Sequence, residues 1–326
     1  MQANINNPAI QRLKQALGSE VLTCLQDPVV SEIMLNPDGR LFSEKSNGVM
    51  HCCGRMDESK ARMVILTLAS LSQGIFDPKI PIISCELPFT DARFEGLLPP
   101  LTKNPVFSIR HHGFAQRTLD DLLKNGMLTY EQYLLLLEIL KQKRSLIICG
   151  ETGCGKTTIL QAMLAKLQEI SPKERVITIE DTPELKCALD NTVALYSGPS
   201  CPQERLVRSS LRLRPDRIIM GEIRGAEALD LIDALSTGHS GSMATLHAGS
   251  PKQALRRLSL LVSRHPQAPK LVEPTVVQAV DLIAMLGARP EKHLISITKV
   301  EGFAKGDFLC RDIKTSQDLK FATNLS

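Results

Sequence analysis

The sequence predicts an α/β protein in two domains, a smaller α+β domain followed by a larger one built on a mainly parallel sheet flanked by helices. Three observations lead there. The chain has 326 residues, enough for two domains, and 43% hydrophobic content, enough for ordinary cores. Short strand-like runs separated by turn chemistry dominate its first third, the sign of antiparallel meanders. From Arg144 onward, strand-like runs alternate with helical patterns, and that alternation implies parallel strands joined through helices.

In chain order, Asn7 to Leu25 places Ile10, Leu13, Leu17, Val21, Leu22 and Leu25 at helical spacing and predicts a helix or helix pair, closed by Asp27-Pro28. The runs IML, RLFSEK and VMHCC read as strands around the turns NPDG and SNG. Asp57 to Ser72 reads as a helix, and strands are expected at Ile80 to Ser84, Arg93 to Leu98 and Val106 to Arg110. This domain should hold five or six strands and span residues 1–116. Arg117 to Met127, polar and containing Gly126, reads as the linker.

The second domain, residues 128–326, opens with a helix at Thr129 to Lys143. RSLIIC, RVITIE, RIIM and SMATLHA then read as strands, with helices at Ile159 to Leu167, within Gln203 to Leu213 and at Ala226 to Leu235. Ser250-Pro251 has the form of an N-cap followed by proline at the first helical position. Thr275 to Leu286 and His293 to Phe303 add late elements.

The chemistry concentrates at Ser145 to Thr158, SLIICGETGCGKTT. Gly150, Glu151, Thr152, Gly153, Cys154, Gly155, Lys156 and Thr157 fit G-x-x-x-x-G-K-[ST], with a strand before and a helix after, the context that a phosphate-binding loop needs. Glycines let backbone N–H groups turn inward, and the helix N-terminus adds partial positive charge. Lys156 can then reach β- and γ-phosphates, Thr157 can offer its hydroxyl to Mg²⁺, and Thr158 belongs beside the α-phosphate. The expected ligand is ATP with Mg²⁺.

Two acidic clusters end strands expected beside the loop: Glu180 and Asp181 in VITIEDTPEL, and Glu222 in RIIMGEIRG. Ligands bind at the carboxyl ends of parallel strands, so these acids can face Mg²⁺, through water in the case of Glu222, and the attacking water. One glutamate would serve as general base or water positioner. In TGHSGSMATLHA, His239 and His247 flank a strand and suit sensing of a γ-phosphate or a bridge between subunits.

Other readings are set aside on composition. The nine cysteines include no C-x-x-C pair and suit a reduced compartment; Cys52 and Cys53 read as the end of a strand, and no structural zinc is expected. The formal charge of +4 comes from residues 128–326, where 26 basic residues meet 22 acidic ones. That excess is small for a nucleic-acid binder, and 4% aromatics without Trp offer little base stacking. It leaves room for peripheral contact with anionic lipid. No apolar stretch has transmembrane length and Met1 to Ser19 lacks a signal-like apolar middle, so a cytoplasmic location is expected. A guanine-reading motif is missing too, since Thr298-Lys299-Val300-Glu301 ends in the wrong acid.

The order GETGCGKTT, ITIEDTPEL, LRLRPDRIIMGEIRGAEALDL, TGHSGSMATLHA resembles the type II and type IV secretion ATPase superfamily, most of all its TrbB-type conjugative-transfer members. RHPQAPKLVEP, RFEGLLPP and VFSIR extend the resemblance over most of the chain. It implies a RecA-like C-terminal domain, a PAS-like N-terminal domain, and a ring-shaped homohexamer that hydrolyses ATP and docks on inner-membrane components of a secretion apparatus. By motif position Glu180 matches the acid of the aspartate box, Glu222 the Walker B glutamate, and His239 and His247 the histidine box. Arg93 and Arg110 match nucleotide-facing arginines of the N-terminal domain. Gly221 stands where other ATPases place a Mg²⁺-binding aspartate. The tetracysteine zinc segment of many type II assembly ATPases is missing, which favours type IV secretion over the nearest rival, a pilus assembly or retraction motor.

Overall fold

The structure, a computed structural model, describes residues 7–27, 29–45, 48–71, 77, 79–90, 92–110, 117–198, 200–288 and 291–319. The chain divides into two compact units, Met1–Ala115 and Gln116–Ser326. The expected domain end near Gln116 lies outside the described residues.

The first unit comprises α1 (Pro8–Gln26), β1 (Val30–Leu35), β2 (Arg40–Lys45), β3 (Met50–Arg55), α2 (Glu58–Leu71), β4 (Ile82–Glu86), β5 (Arg93–Leu97) and β6 (Val106–Arg110). The expected helix or helix pair is a pair: α1 is two helical segments that meet at Gly18, whose backbone is non-helical at φ 79° and ψ 170°. Its six strands form an antiparallel sheet in the order β3-β2-β1-β6-β5-β4. Side chains alternate across this sheet as a pleat requires. Ile33, Leu35, Phe94, Phe107 and Ile109 are buried in one core with Leu13, Leu17 and Val21 of α1 and Val64, Ile65 and Leu68 of α2.

The second unit runs α3 (Leu119–Lys124), α4 (Tyr130–Lys141), β7 (Leu146–Gly150), α5 (Lys156–Ile170), β8 (Val176–Glu180), β9 (Thr192–Tyr196), α6 (Gln203–Leu211), β10 (Arg217–Met220), α7 (Glu227–Ser236), β11 (Met243–His247), α8 (Pro251–Ser263), α9 (Val272–Ala279), β12 (Leu282–Gly287), β13 (His293–Ala304) and β14 (Asp307–Ile313). The eight strands order as β14-β13-β12-β7-β11-β10-β8-β9. The six from β12 to β9 are parallel, and β13 and β14 extend the sheet antiparallel at one edge. Strand β7 is buried at every position, as a strand covered on both faces must be. Leu146 and Ile148 enter the core shared with α3, α4 and α5, whereas Ile147 and Cys149 enter the core shared with α7 and α8.

Two features depart from the sequence reading. The stretch taken as a linker carries α3, whose Thr118 and Asp121 form a reciprocal capping box and whose Leu119 and Leu122 are buried. Its polar composition is that of caps and one exposed face, while the leucines anchor it in the core. Strands β9 and β14, the two edges of the sheet, were not anticipated: no position of β9 is buried, and in β14 only Phe308 and Ile313 are.

Candidate functional site

The glycine-rich turn between β7 and α5 has the geometry of an anion cradle. Gly155 is the N-cap of α5 in the left-handed region at φ 98°, and a Cβ there would lie 2.8 Å from Met127 Cε. At Gly150 a Cβ would lie 2.5 Å from Cys154 Sγ and 2.8 Å from the Leu286 carbonyl, so the buried Cys154 shapes the turn from behind. The first N–H groups of a helix have no intrahelical acceptor, which leaves the amides at the start of α5 available to an anion. Thr157 and Thr158 stand half-buried in that first turn.

Lys156, only 8% exposed, has its ammonium donors occupied. Nζ donates to the carbonyls of Gly150 (3.0 Å) and Glu151 (2.9 Å) and lies 3.2 Å from His247 Nδ1. Burial pushes its pKa down. His247 in turn lies 3.0 Å through Nε2 from Glu222 Oε1. Burial, and then the Lys156 charge, hold the His247 pKa below its ordinary value.

The strand order creates this contact. Strand β11 sits between β7 and β10, with His247 in register with Gly150, so its last residue lies between the loop lysine and the acid that follows β10. The other oxygen of Glu222 accepts from Arg224 Nη2 at 2.5 Å. Arg224 Nη1 also meets Asp181 Oδ2 at 3.0 Å. Asp181 Oδ1 accepts from Ser197 Oγ (2.5 Å) and Gln203 Nε2 (2.6 Å). A continuous polar chain therefore runs from Lys156 through His247, Glu222 and Arg224 to Asp181.

Glu180 lies apart from that chain. It is 3% exposed, and Oε1 accepts from the backbone N–H groups of Glu184 (3.0 Å) and Leu185 (2.9 Å). Its Oε2 is buried without a hydrogen-bond partner among the described residues. Burial pushes this carboxyl up to about 7. A Cβ at Gly221 would come within 3.1 Å of Glu180 Cγ, so the Glu180 side chain fills space that a larger residue at 221 would claim.

The structure thus brings Lys156, Glu222 and His247 together at the carboxyl ends of the strands, with Glu180 at the end of β8. It does not bring His239 there. His239 precedes β11 and its Nδ1 lies 3.2 Å from the Ala234 carbonyl at the end of α7. Strand β11 and the turn before it thus separate His239 from His247 within the chain. Arg93 and Arg110 are cross-strand neighbours on β5 and β6 of the first unit, Arg93 half-buried and Arg110 exposed. Arg224 was missed by sequence reading, and the available signal was its place two residues after Glu222 in GEIRG.

A glycine-rich turn feeding a RecA-like, mostly parallel sheet, with acids at the strand ends, defines the class of molecule. The chain belongs to the type II/IV secretion system protein family, whose family model matches residues 82–310. It is 39% identical over 300 residues to a probable conjugal transfer protein TrbB of Sinorhizobium fredii, covering 92% of each chain. It is 32% identical over 282 residues to the type IV secretion system protein VirB11 of Brucella suis, covering 76% of this chain and 77% of the relative. Its fold is like that of the Legionella pneumophila ATPase DotB, with a TM-score of 0.61 at 16% identity over 90% of this chain and 80% of that one.

Proposed function

We propose that this chain is an ATP-hydrolysing motor of a type IV secretion or conjugative transfer apparatus. The observation that carries the reading is the position of Lys156: a lysine at the head of α5, held at the mouth of a glycine cradle, with an acid and a histidine from the neighbouring strands converging on it. An anionic phosphate chain fits the open amides and the lysine, and the acids at the strand ends then face its terminal group.

In this reading Gly150 to Thr158 hold the phosphates. Thr157 is the direct oxygen ligand that fits Mg²⁺, since Gly221 contributes no carboxylate, and Glu222 faces the metal through water while holding His247 and Arg224. Mg²⁺ held there would supply positive charge to offset that developing on the phosphate oxygens. Lys156 neutralises and orients the same phosphates. Glu180, buried with a raised pKa, can hold a proton near neutral pH.

The family relationship supports assembly as a homohexamer, docking on inner-membrane components and a place at the cytoplasmic face of that membrane. No helix among the described residues is long and apolar enough to cross a membrane, which fits peripheral association. We read the first unit, an antiparallel sheet with two helices on one face, as PAS-like, and Arg93 and Arg110 as its nucleotide-facing residues. The modest charge excess supports action without direct sequence-specific nucleic-acid binding.

The test is phosphate release by the purified chain with Mg²⁺ and ATP or GTP, together with deletion of the gene in its host. The expected results are turnover of ATP and a defect in plasmid transfer or effector export. A chain that neither binds nor hydrolyses ATP would overturn the reading.

A further inference from the structure

The six parallel strands β12, β7, β11, β10, β8 and β9 are entered through segments 280–281, 141–145, 237–242, 212–216, 171–175 and 189–191. These segments lie side by side, because Leu146 pairs with Met243 and Leu282, Arg217 with Val176, and Val176 with Thr192. Together with Arg217 they hold eight basic residues and four acidic ones, a surplus of four that equals the formal charge of the whole chain. KQKRS, SPKER and RLRPD, ahead of β7, β8 and β10, supply every cation but Arg217. Three of the acids are engaged: Glu174 by Arg217 and Lys143, Asp216 by the Arg175 N–H and Asp281 by the Ser145 N–H. Lys141, Lys173, Arg212 and Arg214, in contrast, are exposed and have no side-chain partner among the described residues.

One turn on this face carries side chains that its backbone does not need. Arg212 is the C-cap of α6, and Leu213 is 38% exposed between Arg212 and Arg214. Arg214 holds a left-handed backbone at φ 55°, where glycine would sit without strain. The Leu213 carbonyl accepts from Arg175 Nε at 2.7 Å, and its N–H donates to the Ser210 carbonyl at 2.9 Å. The turn is therefore pinned while two guanidiniums and a leucine stay at the surface.

We propose that this amino-end face, centred on Arg212-Leu213-Arg214, is the surface that rests on an anionic lipid bilayer. This deepens the reading of peripheral membrane association and rests on it. A guanidinium holds phosphate oxygens in a bidentate fork, and each cation near anionic lipid strengthens attachment by about fivefold. Leu213 adds apolar area that can enter the headgroup layer between the two arginines. The cations are spread over three segments, and the six entry segments hold no Phe, Tyr or Trp. That pattern suits a diffuse sheet of charged headgroups, whereas protein interfaces centre on aromatic anchors in pockets and single-stranded nucleic acid is held by stacked rings. Ligands bind at the carboxyl ends of parallel strands, so the opposite face can lie on a membrane while nucleotide enters and leaves.

The experiment is co-sedimentation of the full-length chain with phosphatidylcholine vesicles, with and without phosphatidylglycerol, at low and raised salt. The parent should bind only the vesicles that contain phosphatidylglycerol and should be released by salt. Arg212→Ala/Arg214→Ala should weaken binding about 25-fold, and Lys141→Ala/Lys173→Ala by a similar factor. Arg212→Lys/Arg214→Lys should keep most of the affinity, and Leu213→Ala should weaken binding without changing its salt dependence. Lys60→Ala/Arg62→Ala, an equal loss of charge on α2 of the first unit, should stay close to the parent. ATP turnover in solution shows that each variant is folded. If the parent binds and both amino-end pairs bind within about threefold of it, the face is wrong and peripheral association stands. A first-unit pair that weakens binding as much as the amino-end pairs would also overturn the assignment, since net charge alone would then govern. A parent that ignores anionic vesicles, or binds only vesicles carrying the host's membrane proteins, overturns the proposal together with direct lipid association.

Discussion

The two ends of the second unit's sheet carry charged networks built from similar side chains to opposite effect. At the amino ends of the strands, Arg217 is 1% exposed and spends its donors on Glu174 Oε2 (2.5 Å), the Gly241 carbonyl (3.1 Å) and the Leu140 carbonyl (2.8 Å). Lys143 completes the neutralisation of Glu174 at 2.9 Å. This network staples α4 and the segments that lead into β8, β10 and β11. At the carboxyl ends, His247, Glu222 and Arg224 bond mainly to one another, Lys156 joins them through His247 while holding two carbonyls of its own loop, and Arg224 leaves 59% of its side chain exposed. A fully buried cation tied to a carboxylate and to carbonyls of separate segments is fixed architecture. A half-open chain of side chains can exchange partners when a ligand arrives.

The contrast is tested first where the effect should be largest. Lys156→Ala should abolish ATP turnover, since a charged contact in a water-poor site is worth several kcal/mol, while Tm stays close to that of the parent. Steady-state phosphate release and thermal melting check both halves. Variants with parental rates would break the comparison.

Next comes Arg217→Ala. Removing Arg217 leaves Glu174 with Lys143 alone and the Gly241 and Leu140 carbonyls without their donor, and should cost about 3 kcal/mol of stability, read as a lower urea midpoint. Such protein as remains folded should bind ATP normally. Full stability with impaired ATP binding would reverse the roles of the two ends.

Glu180 sharpens the comparison, because it belongs to the carboxyl end yet is buried. Its folded-state pKa of about 7 lies above the ordinary value of 4.5. At low pH both folded and unfolded chains hold the proton, and the full stability is present. As pH rises from 4.5 towards 7 the unfolded state releases the proton first, so stability falls over that window and levels off above it. Glu180→Gln should flatten this dependence and stabilise the protein at pH 8 by on the order of 2 kcal/mol. Denaturation at pH 4, 6 and 8 checks it, and parallel curves for parent and variant would remove Glu180 from this role.

Smaller effects are expected from the exposed members. Arg224→Ala should leave stability within about 1 kcal/mol. It should lower kcat by up to about tenfold, because Glu222 loses one of the two contacts that orient it. His239→Ala should change both stability and turnover least, within about 0.5 kcal/mol, as a half-buried side chain bonded to one helix-end carbonyl. A hydrolysis defect in His239→Ala without destabilisation would point to action across subunits.

The sequence by itself determined the features set by local spacing. Gly150, Gly153, Gly155, Lys156 and Thr157 specify a strand, a turn and a helix start within a few residues, and Ser250-Pro251 specifies the start of α8. The alternation of strands and helices likewise determined a mainly parallel sheet covered on both faces. What only the tertiary structure decided is which of those residues meet. Nothing in the spacing says that β11 lies between β7 and β10, yet that order puts His247 between Lys156 and Glu222 and sends His239 to the far end of the same strand. The linker reading failed for a related reason: Thr118 and Asp121 look like loop residues until Leu119 and Leu122 find a core to enter. Arg224 escaped because a guanidinium acquires a role only from the carboxylates around it. One of these, Asp181, lies 43 residues away in sequence and is brought close because β8 and β10 are neighbours in the sheet.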